Sequence, residues 1–174
     1  MNQANKPFVL WLVGLSGSGK STLSKSIINQ LNKQNIKVES LDGDAIREML
    51  PQTGFSKKER VQHNKRVAYI ASILERNGIS VIVSLIAPYQ ESRDYANSVC
   101  KNYIEVFVDA SIDVCEKRDV KGLYKKVRSG EIKHFTGIDD PFEPPINADV
   151  ELNTDQQTVE ESSKIILKYL KNYL

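Results

Sequence analysis

The feature that most limits what this chain can fold into is Gly14-Leu15-Ser16-Gly17-Ser18-Gly19-Lys20-Ser21, which satisfies the pattern G-x-x-x-x-G-K-[ST]. It follows an apolar run at 8–13 and opens a segment of helical spacing, so strand, loop and helix stand in the order that the pattern requires. Glycines in such a loop let backbone N–H groups turn inward onto phosphate oxygens, and the helix beginning near Lys20 adds the positive end of its dipole. The cradle is Gly14, Ser16, Gly17, Ser18 and Gly19, with Gly19 the place where a bulky side chain would block approach. Lys20 supplies a point charge to the β and γ phosphates, Ser21 is the expected magnesium ligand, and Thr22 is a weaker helper. The implied ligand is a Mg-nucleoside triphosphate.

Around this loop, short runs rich in β-branched residues alternate with longer helical segments, the pattern of crossover units about a parallel sheet. Strands are expected near 8–13, 37–41, 80–86, 104–108 and 149–152, and long helices near 20–34, 57–77, 90–102 and 155–172. Shorter helical turns fall near 45–50, 112–118 and 123–129. The expectation is an α/β fold with a doubly wound, largely parallel five-stranded sheet flanked by helices. Thr154 and Gln157 have capping-box spacing ahead of the last helix, where Val159, Ile166, Leu170 and Tyr173 form a stripe read as core packing.

No repeat or Gly/Ser-rich linker divides the 174 residues, which are expected to form one domain large enough to bury a core without disulfides. A chain 40% hydrophobic and 26% charged is neither disordered nor a coiled coil. Lys and Arg number 24 against 22 Asp and Glu, a balance too even for a nucleic-acid-coating surface. Cys100 and Cys115 form no metal-binding pattern, and the apolar run at 8–13 is far too short to span a membrane. The expectation is a cytoplasmic protein with neither nucleic-acid nor membrane partners.

Ligands of open α/β sheets lie beyond the carboxyl ends of the strands. There Asp42-Gly43-Asp44 follows the second strand, with Arg47 one helical turn on, a pairing able to orient an acceptor hydroxyl and hold an anionic acceptor. Either aspartate can instead cap the helix after it. Val67, Ile70, Ala71 and Leu74 define an inward face on the helix at 57–77, and stepping back along it reaches His63 and Arg60, which should face the cleft. From Arg118 to Arg128 the chain is densely basic, then passes Gly130, Phe135-Thr136-Gly137 and a Pro cluster, the composition of a lid over about 118–145 that brings charge to transferring phosphates and excludes water. Arg118, at its start, is a candidate nucleotide contact. Phe55 and Phe135 stand outside the main apolar periodicity, where each either stacks on a base or fills core.

Together these strings resemble adenylylsulfate kinases over nearly the whole chain. The phosphate loop is joined in order by Leu41-Asp42-Gly43-Asp44, Gly54-Phe55-Ser56, Ser84-Leu85-Ile86-Ala87-Pro88-Tyr89 and Glu105-Val106-Phe107-Val108-Asp109. The longest matches come last, at Cys115 to Lys126 and Gly130 to Asp139. The resemblance implies a P-loop kinase fold and phosphorylation of the 3'-hydroxyl of adenylylsulfate by MgATP, typically in a homodimer. It implies acceptor contacts from Asp44, Arg47, Arg60, Ile86, Lys121 and Leu123, with His63 beside them and Phe55 and Phe135 sandwiching the acceptor base. It tips Asp44 towards positioning the hydroxyl and assisting its deprotonation.

Some residues depart from the family pattern. Ala87 replaces a serine that has been assigned as a phosphoserine intermediate, and Ala45, His63, Lys65 and Gln90 replace polar residues near the acceptor. Two other readings therefore stay open: a 3'-hydroxyl kinase for cytidine 5'-diphosphoramidate, and a nucleotide-binding regulatory module without turnover.

Overall fold

The computed structural model describes residues 6–50 and 54–174. The strands are β1 (Val9–Val13), β2 (Val38–Asp42), β3 (Ser80–Leu85), β4 (Tyr103–Asp109) and β5 (Val150–Asn153). The helices are α1 (Lys20–Asn32), α2 (Gly43–Met49), α3 (Lys57–Arg76), α4 (Gln90–Val99), α5 (Ile112–Arg118), α6 (Leu123–Arg128) and α7 (Val159–Leu170). All strand pairings are parallel and the order is β2-β3-β1-β4-β5.

Parallel strands need crossovers, and crossovers put helices on both faces of the sheet, so the central strand is apolar throughout. In and just before β1, Phe8, Leu10 and Leu12 point into a core that includes Leu23 and Ile27 of α1 and Ile166 and Leu170 of α7. Val9, Trp11 and Val13 point the other way, to Val67, Ala68 and Ala71 of α3 and Ala96 of α4. The chain fills the β2 side of β1 first and then crosses to the β4 side, which makes the carboxyl end of β1 the switch point where an open sheet holds its ligand. Among the described residues, no helix is long and apolar enough to cross a membrane.

The expected five-stranded architecture is present, and most element ends move by one to three residues. The terminal helix differs more. It starts at Val159, where Thr158 and Glu161 form the capping box. Thr154 is instead committed through its hydroxyl to the Ser18 and Asp109 carbonyls, so the chain at 154–156 turns and no helix starts there. Ile166 and Leu170 are core as expected, and Tyr173 packs on Phe8, but Val159 is 41% exposed.

Candidate active site

The phosphate loop leaves β1 at its carboxyl end. Gly17 has φ 81°, and a Cβ there would come 2.8 Å from the Cys115 carbonyl oxygen, so only glycine lets α5 back this closely onto the loop. Gly19 has φ 102°, yet a Cβ there would meet no protein atom within 4 Å. The space above Gly19 is thus open to a ligand at the N-terminus of α1, which is the arrangement an anion needs.

Lys20 folds back over the loop, donating to the Gly14 and Leu15 carbonyls at 2.9 and 2.7 Å. Burial lowers its pKa to about 8, against the pull of the Cys115 thiol and the Asp44 carboxylate. A phosphate arriving above Gly19 gives this ammonium a better partner than neutral carbonyls. Ser21 and Thr22 are exposed on the first turn of α1, so an oxygen donor is in place for a magnesium ion that travels with the triphosphate.

The back of the loop is tied down carbonyl by carbonyl. Ser16 O accepts from the Tyr124 hydroxyl at 2.9 Å, Gly17 O from Arg118 Nη1 at 3.3 Å, and Ser18 O from the Thr154 hydroxyl at 2.9 Å. Arg118 also donates to the Thr154 carbonyl at 2.6 Å. Thr154 thus joins the phosphate loop, the end of β4 and the start of the basic segment. Tyr124 and Thr154 were absent from the sequence candidates, because both act on the loop through contacts more than 100 positions apart that no local spacing signals.

Facing the loop stands the Asp42-Gly43-Asp44 turn at the end of β2. Asp42 is the cap: its Oδ1 accepts from the amides of Asp44 and Ala45 at 3.0 and 3.3 Å. Asp44 is left exposed and pairs with Lys121 Nζ of the basic segment, which raises the lysine's pKa. The alternative left open by the sequence therefore resolves residue by residue, with Asp42 structural and Asp44 in the cleft.

Arg47 donates to the Gly54 carbonyl at 2.7 Å and lies 4.8 Å over the Phe55 ring, which is 60% exposed. Arg60 is buried and donates Nε–H to the Phe55 carbonyl at 2.6 Å. Its Nη atoms bond to Thr136 Oγ1 and the His134 carbonyl, and Nη2 lies 3.4 Å from Asp140. One guanidinium therefore ties the two phenylalanine-bearing segments together. Phe135, 9% exposed, sits edge-on to Tyr124 at 4.9 Å in a small core with Leu15, Ala110 and Cys115. Of the two expected stacking rings, one is exposed with a guanidinium over it and the other is embedded in the core between the lid and the phosphate loop. Ile86, just past β3, and Leu123, at the start of α6, are partly buried.

His63 does not face the cleft as expected. It has no exposed surface, and its Nε2 binds the Gly43 carbonyl at 3.0 Å, behind the turn that carries Asp44. Helical periodicity assigned it the right face of α3, but this part of the face is covered by α2 rather than left open.

The departure at 90 has a structural explanation, whereas nothing in the structure explains the one at 87. Ala87 is buried at φ 45°, with its carbonyl accepting from Arg93 Nη1 at 2.7 Å. Gln90 spends its carboxamide on Arg93 and Asp94. Both residues serve the turn after β3.

Comparison with known proteins agrees with this geometry. The family model described as adenylylsulphate kinase matches residues 6–153. An adenylyl-sulfate kinase of Rippkaea orientalis is 50% identical over 154 residues, covering 88% of this chain and 85% of its own. One from Halothermothrix orenii is 45% identical over 167 residues, covering 95% and 90%. Among solved structures, the Mycobacterium tuberculosis APS kinase in complex with AMPPNP and APS superposes with a TM-score of 0.91 at 36% identity, over 96% of this chain and 99% of that one. A gluconokinase from Sinorhizobium meliloti, at 18% identity and a TM-score of 0.61, shares the fold alone.

Proposed function

Because the chain belongs to the adenylylsulphate kinase family, we propose that it transfers the γ-phosphoryl group of MgATP to the 3'-hydroxyl of adenylylsulfate, releasing ADP and 3'-phosphoadenylylsulfate. The observation that carries this reading is the cleft with Lys20 and the open Gly19 amide end on one side and Asp44 with the exposed Phe55 on the other.

In the reaction the acceptor 3'-oxygen forms a bond to the γ-phosphorus as the bond from that phosphorus to the β,γ-bridging oxygen breaks, and the electron pair leaves with ADP. Asp44 orients the hydroxyl and takes its proton, after exchanging its contact with Lys121 for one with the acceptor. Lys20 leaves the Gly14 and Leu15 carbonyls to follow the charge on the transferring group, and the loop amides hold the phosphates in line. Ser21 would hold a magnesium ion arriving with the triphosphate, and that ion would supply charge neutralisation at the phosphates. Phe55 stacks on the acceptor base, Phe135 meets the base's other face once its lid segment shifts to uncover the ring, Arg47, Ile86, Lys121 and Leu123 line the rest of the site, and Arg118 lies at the ATP side. Ala87 offers no hydroxyl, so transfer is direct and passes through no phosphoserine.

We take residues 1–174 as one catalytic unit, with the lid over about 118–145. We place it in the cytoplasm, a reading supported by two free, buried cysteines. We further propose a homodimer, supported by the exposed apolar side chains of Tyr69, Ile73 and Ile70 along one face of α3, Ile70 standing outside the inward face that periodicity assigned it. The test of the activity is incubation with MgATP and either adenylylsulfate or cytidine 5'-diphosphoramidate, with the new phosphate located by phosphorus NMR. A 3'-phosphate on adenylylsulfate is expected. A 3'-phosphate on the cytidine compound alone would replace the acceptor, and tight ATP binding with no acceptor-dependent ADP would leave a binding module.

A further inference from the structure

We propose that His63 is a positioning residue for Asp44: buried behind the Asp42-Gly43-Asp44 turn, its Nε2–H holds the Gly43 carbonyl and so fixes the carboxylate that receives the acceptor's proton. The inference rests on the kinase reading above and adds a residue that acts without touching substrate.

The argument starts from the peptide that leads into Asp44. Its N–H, the amide of Asp44, donates to Asp42 Oδ1 at 3.0 Å. Its C=O, the carbonyl of Gly43, lies 3.0 Å from His63 Nε2. Both polar atoms of this one peptide plane are therefore held by side chains, one from the end of β2 and one from α3. Leu85 of β3 packs so closely behind Gly43 that a Cβ there would come 1.8 Å from its Cδ2, so the turn requires glycine at this position. The plane is thus held from two elements, and the next side chain along is that of Asp44, which is itself exposed and, among the described residues, anchored to Lys121 of the lid.

The chemistry of the contact fixes the tautomer. A carbonyl oxygen only accepts, so Nε2 carries the hydrogen and Nδ1 is left with a lone pair. Nδ1 is buried and has no protein partner among the described residues, so nothing competes to move the hydrogen to it. The ring also stays neutral. Burial and the guanidinium of Arg47 on α2, helped by Arg66 on α3, push its pKa down to about 4 against the opposing effects of the Gly43 carbonyl and Asp44. A neutral donor of constant charge orients Asp44 without adding a field that changes across the working pH range.

The test measures steady-state rates for the parent, His63→Leu and His63→Gln, each alone and combined with Asp44→Asn. The expected result for His63→Leu is a fall in kcat of about tenfold or more with KM for MgATP within about twofold, since the phosphate loop lies across the cleft. In His63→Gln the amide nitrogen reaches about as far as Nε2 and is expected to restore kcat to within about threefold of the parent. In the Asp44→Asn background, His63→Leu should cost less than about twofold more, because the carboxylate it positions is gone. A His63→Leu enzyme with unchanged kcat, or the same fold-loss with and without the Asp44 carboxylate, overturns the proposal. Should the leucine variant fail to fold, nitrogen-15 NMR of the parent's imidazole decides: an Nε2–H ring unchanged between about pH 5.5 and 8.5 supports it, and an Nδ1–H ring or a titration near about 6.5 overturns it. A parent with no turnover on any acceptor overturns the kinase reading and this assignment with it, whereas an active parent with the wrong tautomer overturns this assignment alone.

Discussion

Two phenylalanines that the sequence treats alike sit in opposite surroundings, and substitutions should separate them. Phe55 is 60% exposed and leans on Arg47, so Phe55→Ala removes little native packing and is expected to change folding stability by less than about 0.5 kcal/mol. Phe135 packs against Tyr124 inside the lid core, and its truncation should cost about 3 kcal/mol. Both should raise KM for the acceptor by on the order of tenfold through lost stacking, worth about 1–3 kcal/mol per base. Denaturant titration beside steady-state kinetics checks both, and equal stability losses would contradict the packing described. His63 gives a second residue-scale expectation. Its pKa falls from 6.5 to about 4 on folding, so between those values the unfolded chain binds the extra proton and stability drops as pH falls. The loss is on the order of 3 kcal/mol at about 1.4 kcal/mol per unit, complete by pH 4, and urea titrations at pH 7 and pH 4.5 should show it shrink in His63→Gln. Periodicity legibly put His63 on the inner face of α3, but whether that face meets a ligand or the back of α2 depends on tertiary packing, which no spacing encodes.

At the scale of elements, the strand-loop-helix unit around Lys20 was legible because every part of it has a local cause: an apolar run, glycines at positive φ and a helix start. The start of the last helix was not. Thr154/Gln157 and Thr158/Glu161 both satisfy capping spacing, and only the second has its side-chain oxygen free to cap, because Thr154 is claimed by the phosphate loop. Ser56 and Glu59 form the equivalent box that starts α3 directly after Phe55, a four-residue signal present in the sequence but not used. What these motifs lack is long-range information, and Thr154 lies 136 positions from Ser18. Its bridging role leads to a prediction. Thr154→Val keeps the shape but leaves the Ser18 carbonyl and Arg118 without the hydroxyl, an unsatisfied buried acceptor costing about 1–3 kcal/mol. KM for MgATP should rise several-fold with KM for adenylylsulfate little changed, and Thr154→Ser should restore it. A rise in both constants together, or none, would remove Thr154 from the loop's support.

For the whole molecule, the order β2-β3-β1-β4-β5 places the two halves of the site on different strands, the phosphate loop after β1 and the acceptor wall after β2 and β3. The lid joins them, reaching the loop through Tyr124 and Arg118 and the acceptor wall through Lys121 with Asp44 and Asp140 with Arg60. Because the phosphate grip and the base grip use separate residues, each nucleotide should stabilise the fold independently of the other's anchor. A ligand at about 100 times its Kd adds about 2.7 kcal/mol, which for a domain of this size is a rise of roughly 5–10 °C in Tm. In Lys20→Met the rise with MgATP should vanish while the rise with adenylylsulfate persists, and in Phe55→Ala the rise with adenylylsulfate should fall to about half while that with MgATP persists. Thermal melts of the parent and both variants with each nucleotide read this directly. If Lys20→Met abolished both rises, the acceptor would bind only to a lid already drawn in by MgATP, and the tethers from Tyr124 and Arg118 to the loop are the contacts through which that dependence would run.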